Sequence, residues 1–207
     1  ADEINRSMPK TQSALLEAME EHRVTIEGKT YRLPDPFMVI ATQNPVEQVG
    51  TYPLPESQLD RFLIATGIGY PPELMEKTII QTGSIREGIR EIKPLLTIEE
   101  LLQAREAISQ EVTLSDKITE YIYGLVAATR NHQMLLAGIS TRGGISLASA
   151  ARTLAFLEGR DHVIPEDIKA LFVPVCAHRL IMRPENETID RKELLQSLLD
   201  EIPVPLA

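Results

Sequence analysis

Cysteine occurs once in this chain, at Cys176, so no internal disulfide can form and the sequence fits a reducing compartment. A lone thiol in an apolar stretch reads as a small core residue. Tryptophan is absent and aromatics make up 4% of the residues, which points to an Ala-, Leu- and Ile-rich interior of the kind helices pack. No run approaches the roughly 20 apolar residues of a transmembrane helix. The chain opens on acidic residues instead of a basic signal region, so the expectation is a cytoplasmic protein. Basic charge is also short: a formal net charge of −9 argues against a general grip on nucleic acid. The pattern G-x-x-x-x-G-K-S/T occurs nowhere, so these residues supply no phosphate loop. What is present is enough apolar content, 43% of 207 residues, for a real core in one or two domains.

Pattern divides the chain in two. Ser7 and Pro9 start a helix over 10–22 with an apolar stripe of Ala14, Leu15, Ala18 and Met19. Val24–Leu33 alternates about Glu27-Gly28 as a β-hairpin. Phe37–Thr42 is a nearly continuous apolar run, as expected of a strand buried on both faces of a parallel sheet. A short helix over 56–61 and a second strand over 62–68 follow, making half of an α/β unit across residues 1–72. Pro71-Pro72 marks a boundary. From 73 to 207 the sequence predicts an all-helical domain of roughly four to five helices. Its signals are a Thr97/Glu100 capping box, a Ser115 cap, a helix over Gly144–Leu157, one opened by Pro165-Glu166-Asp167, and one over Asp190–Leu199.

Four small groups carry candidate chemistry. Asp2-Glu3 offers adjacent carboxylates: one can hold Mg²⁺ through water, the other can orient or deprotonate an attacking water. A helix cap or solvated acids would look the same. Asn44, just past the expected strand end, is a neutral amide that can hydrogen-bond a phosphate oxygen and a water, though Asn44-Pro45 is also a common turn pair. Arg61 in Asp60-Arg61-Phe62 is a permanent cation that can stabilise developing phosphate charge, or pair locally with Asp60 or Glu56. Arg142, in the Gly-rich stretch before Gly144–Leu157, stands where a helix dipole favours anions; a phosphate facing both would explain it, as would solvation. The four histidines, His22, His132, His162 and His178, show no metal-ligand spacing and read as surface or packing residues. Glu17, Glu20 and Glu21 read as a solvated helix face.

With these groups in order, the chain resembles the MoxR family of AAA+ ATPases along nearly its whole length. The likeness is densest in Ala1–Gln12, Ser13–Thr25, Phe37–Gln48 and Gly50–Phe62. Its most specific strings are Asp-Glu-Ile-Asn-Arg, Ala-Thr-Gln-Asn-Pro and Gly-Thr-Tyr-Pro-Leu-Pro-Glu-Ser-Gln-Leu-Asp-Arg-Phe. The resemblance implies the second half of a P-loop AAA+ parallel-sheet core followed by a helical lid, beginning at the end of the Walker B motif. It implies Asp2 for Mg²⁺, Glu3 for the water, Asn44 as sensor one, Arg61 as an arginine finger acting in trans and Arg142 as sensor two. Val24–Leu33 corresponds to the hairpin before sensor one, which in related machines points into a ring pore. It further implies Mg²⁺-dependent ATP hydrolysis at the interfaces of a homo-oligomer, a hexameric ring. The work done would be chaperone-like remodelling or activation of client proteins, metal insertion included, with a von Willebrand factor A-type domain among the clients expected. Without a phosphate loop, this chain alone is expected to be inactive.

Two other classes stay open. The lid and hairpin could form a non-catalytic interaction module with an absent or degenerate nucleotide site. A nucleic-acid motor fits poorly, since the hairpin tip offers only Lys29 and Arg32 beside Glu27.

Overall fold

The computed structural model describes residues 1–44, 50–83, 86–89 and 91–205. Pro45, half of the Asn44-Pro45 pair, lies outside them. A 3₁₀ turn, Ile4–Arg6, leads into helix α1, Pro9–Glu21. Met8, not Ser7, takes the cap position, and Pro9 sits at N1, where its missing N–H costs nothing. Strands β1, Arg23–Ile26, and β2, Lys29–Arg32, pair antiparallel in the expected hairpin. Glu27 and Gly28 both have positive φ (50° and 78°), the two-residue turn whose twist matches paired strands. Helices α2, Glu56–Leu59, α3, Glu73–Thr82, and α4, Arg86–Ile89, follow.

The expected strands at 37–42 and 62–68 do not form among the described residues. Ala1 gives its terminal amine to the Ile40 carbonyl at 2.8 Å and accepts from the Thr42 amide at 3.0 Å. That is the slanted pattern of a parallel pair, one residue long. Residues 62–65 bond the helical part of the chain, with the Ala65 amide on the Pro174 carbonyl at 2.9 Å. The runs are as apolar as double-faced burial demands, yet Met38 is 77% exposed and Ile68 96%. A run of this kind becomes a strand only when neighbours cover it, and the described residues supply too few.

The main core lies between residues 112 and 204. Helix α5, Ile98–Glu111, opens on the expected capping box, the Glu100 amide on Thr97 Oγ1 at 3.2 Å and the Thr97 amide on Glu100 Oε2 at 2.7 Å. Helix α6, Asp116–Arg130, is capped by Ser115 and buries Ile118, Ile122, Leu125 and Val126. Helix α7, Thr141–Leu157, packs Leu147, Ala151 and Ala155 into the same core as Ile168, Phe172 and Val175 of α8, Pro165–Cys176. The Asp167 carboxylate holds the start of α8, accepting from the Ile164 amide at 2.9 Å and from both Arg160 Nη atoms at 2.8 and 2.6 Å. Helix α9, Arg191–Glu201, closes the core with Leu195 and Leu198. This part is not all helical: β3, Leu135–Ala137, pairs antiparallel with β4, Ile181–Met182. A second, small cluster joins Ile4, Leu16 and Leu54. No helix among the described residues is long and apolar enough to cross a membrane.

Gly138 links β3 to α7 where no side chain fits. A Cβ there would stand 2.5 Å from the Arg130 nitrogen and 2.6 Å from Thr129 Oγ1. Thr129 is fully buried, and its hydroxyl accepts from the Ile139 amide at 3.0 Å, so it cannot give way. Gly138→Ala therefore lowers stability by about 1–3 kcal/mol, the range for overpacking, measured as a shift in the denaturant midpoint.

Candidate active site

Asp2 and Glu3 are tied together by a side chain from another part of the chain. Thr42 donates its hydroxyl to Asp2 Oδ1 at 2.6 Å and accepts from the Glu3 amide at 2.8 Å. Glu3 adopts a left-handed backbone (φ 46°), rare for a residue with a Cβ, and its carboxylate lies 3.1 Å from Arg6 Nη1. Buried Ile4 anchors the segment: its amide bonds the Thr42 carbonyl, and its own carbonyl accepts from Gln12 Nε2 on the first turn of α1. Asp2 and Glu3 thus share one neighbourhood with Thr42, and Asn44, half-buried, follows it two residues on in the chain.

The two arginines meet elsewhere. Glu20, on the last turn of α1, places Oε2 2.9 Å from Arg61 Nη2 and Oε1 2.7 Å from Arg142 Nη2. The local alternative for Arg61, a pair with Asp60 or Glu56, is not made among the described residues. Glu20 is exposed, as are Glu17 and Glu21, in keeping with a solvated face, and it differs from them in pairing with two arginines. Arg61 Nη1 also donates to the Leu16 carbonyl at 3.1 Å, while its buried Nε has no partner among the described residues. Arg142 stands inside the first turn of α7, not ahead of it, because Ser140 is the cap. The one carboxylate thus pairs with two cations. A cleft of about 360 Å³ opens here, walled by Phe37, Met38 and Leu63 beside the charged three.

Gln12, next to Asp2-Glu3, and Glu20 are eight residues apart on one helix, roughly 12 Å along its axis. Residues 37–39 run past the arginine cleft and Thr42 past the acidic pair, so the two groups lie at opposite ends of the same segment.

A third group, missed from sequence, fixes the Arg61 segment on the helical part. Arg179 follows α8 in a 3₁₀ turn and uses all five of its N–H donors. Nε bonds the Val175 carbonyl at 2.8 Å, Nη1 the Asp60 carbonyl and Oδ1 (the latter at 2.9 Å), and Nη2 the carbonyls of Phe62 and Leu63 at 2.8 and 3.4 Å. Ser140 adds its hydroxyl to the Asp60 carboxylate at 3.1 Å. Gly143 makes room: a Cβ there would come within 3.0 Å of Arg179 Cδ. The sequence signal was a guanidinium inside the apolar run Val173–Met182, which can be buried only if fully paired. Burial pushes the adjacent Cys176 thiol up to about 12, so it is an inert core group.

Residues 1–64 match the model of the ATPase family associated with various cellular activities (AAA), and residues 127–198 match the AAA lid domain. YeaC of Bacillus subtilis is 44% identical across the whole chain and 65% of its own length. A solved structure from Cytophaga hutchinsonii superposes with a TM-score of 0.90 at 39% identity, covering all of this chain and 66% of that one. Chaperone MoxR1 of Mycobacterium tuberculosis is 41% identical over 88% of this chain and 50% of its own. The chain belongs to the MoxR family of AAA+ ATPases. It spans between half and two thirds of the length of these relatives. In this MoxR-family chain the first match contains Asp2, Glu3, Asn44, Glu20 and Arg61, and the lid match contains Arg142 and Arg179. The Glu20 bridge and the Asp60–Arg179 pair therefore join one matched region to the other.

The residues fit a magnesium nucleotide in kind. No cluster of three His, Cys, Asp or Glu occurs among the described residues. A nucleotide-borne Mg²⁺ needs only one or two protein carboxylates, and Asp2 is exposed with one oxygen set by Thr42. Arg61 and Arg142 both line the cleft with their guanidinium groups paired to Glu20.

His178 also reports on this junction. Its Nε2 lies 2.9 Å from the Phe62 carbonyl and its buried Nδ1 has no partner among the described residues, which sets the neutral tautomer. Burial, with nearby Arg179, outweighs the Phe62 bond and holds its pKa below the usual 6.5. A histidine with a depressed folded pKa contributes nothing above pH 6.5. Below that, the unfolded chain takes the proton first and stability falls. Between pH 7 and 5 the wild type accordingly loses more stability than His178→Gln, read from urea midpoints at each pH.

Proposed function

We propose that the protein is a Mg²⁺-dependent ATP hydrolase working at the subunit boundaries of a homo-oligomeric ring, hexameric in this reading. The observation that carries it is that the two groups sit on different stretches of one subunit: Asp2 and Glu3 on Thr42, beside the segment that Gln12 holds, and Arg61 and Arg142 on Glu20, eight residues and roughly 12 Å of helix rise further along α1. Both groups are needed at one triphosphate, so each subunit offers its acids to one nucleotide and its arginines to another. Arg142, sharing a carboxylate with Arg61, acts across the boundary with it.

The roles follow from chemistry. Asp2 holds the metal. Glu3, whose carboxylate is 3.1 Å from Arg6, orients and deprotonates the attacking water. Asn44 hydrogen-bonds water and phosphate as a neutral group. Arg61 stabilises charge on the transferred phosphoryl group with its fork, and Arg142 ties that event to the lid. Bound Mg²⁺ supplies charge neutralisation on the phosphate oxygens. Residues 1–72 serve as core and 73–207 as lid in this reading. A cytoplasmic chaperone-like role belongs to it too, with remodelling or activation of client proteins, metal insertion and a von Willebrand factor A-type client domain among its outlets.

The test is ATP turnover of the full-length protein at rising protein concentration. Glu3→Gln and Arg61→Ala each lower turnover by on the order of 10² or more, and wild-type activity per subunit rises as subunits assemble. Flat activity at every concentration overturns this in favour of an interaction module.

A further inference from the structure

Glu20 is the point where the acidic and basic halves of this region meet. It gives one carboxylate oxygen to each of two arginines, one on the segment after α2 and one on α7. Without it two guanidinium groups would face each other with like charge. The three side chains are 31–50% exposed, so the pairs are of the weak, readily exchanged sort. Arg61 is anchored independently on the Leu16 carbonyl, and its Nε stays unsatisfied even with Glu20 in place. Any anion with two or more oxygens could replace the carboxylate at the two Nη2 donors it now holds.

We propose that Glu20 is a positioning residue acting as an exchangeable latch: it keeps Arg61 and Arg142 paired while no phosphate is present, and yields them to the phosphate oxygens of a neighbouring subunit's nucleotide. This rests on the trans reading of Arg61 given above. The latch sets a threshold, since the nucleotide must displace a bound carboxylate. Glu20→Gln removes the charge and offers one acceptor where two are needed. Glu20→Asp keeps the charge, but one methylene shorter it reaches a single arginine.

The experiment is ATP turnover against ATP concentration for full-length wild type, Glu20→Gln, Glu20→Asp and Arg61→Ala. Glu20→Gln raises kcat/KM about three- to tenfold through a lower KM, with Glu20→Asp between it and wild type. A merely structural glutamate would do the opposite, raising KM or lowering kcat. The latch is refuted if kcat/KM in Glu20→Gln is unchanged or lower while Arg61→Ala abolishes turnover. If Arg61→Ala keeps wild-type turnover, the trans reading itself fails and the latch with it.

Discussion

The guanidinium of Arg179, 1% exposed, faces Asp60 and four backbone carbonyls, and every one of its N–H groups is used. A buried cation this fully paired is costly to break from one side, on the order of 3–5 kcal/mol, because the remaining charge cannot be rehydrated. It fixes the Asp60–Leu63 backbone to the end of α8, and the direction of Arg61 is a consequence. Ser140 reinforces the same carboxylate from the cap of α7, so the residue that starts the Arg142 helix also holds the Arg61 segment. The two arginines can share Glu20 only because this junction has already brought them side by side.

Much of the helical part was legible because its signals are local. A capping box at Thr97 and Glu100, a Ser115 cap and proline at the first position of α8 are read within four residues, and the structure has them all. The start of α7 was read three residues late, since the glycines at 143 and 144 look like loop while Ser140 does the capping. The strand pair β3–β4 escaped because it joins residues more than forty positions apart in runs of two and three. The strands expected at 37–42 and 62–68 failed for the complementary reason: composition registers what a segment needs to be buried by, and cannot supply it.

The candidate site divides along the same line. Asp2, Glu3, Asn44 and Arg61 are candidates by type and order, properties that are local to the sequence. Their partners are not, because Thr42, Glu20 and Arg179 are ordinary residues whose meaning lies in who stands opposite. Glu20 is exposed like its charged neighbours Glu17 and Glu21, so its helical position alone did not mark it.

Glu20 is also two residues from the point where α1 gives way to the hairpin. His22 ends the helix in a left-handed conformation, and its carbonyl accepts the Leu33 amide at 2.8 Å, pinning both strands at their base. Above that pin none of the strand residues is buried. The ribbon is thus held at its base by the turn of helix that carries the shared carboxylate. Gly28, at the far end of the ribbon, therefore stands much further from that pin than Glu20 does, so any tilt of the last turn of α1 displaces the hairpin tip more than it displaces the shared carboxylate.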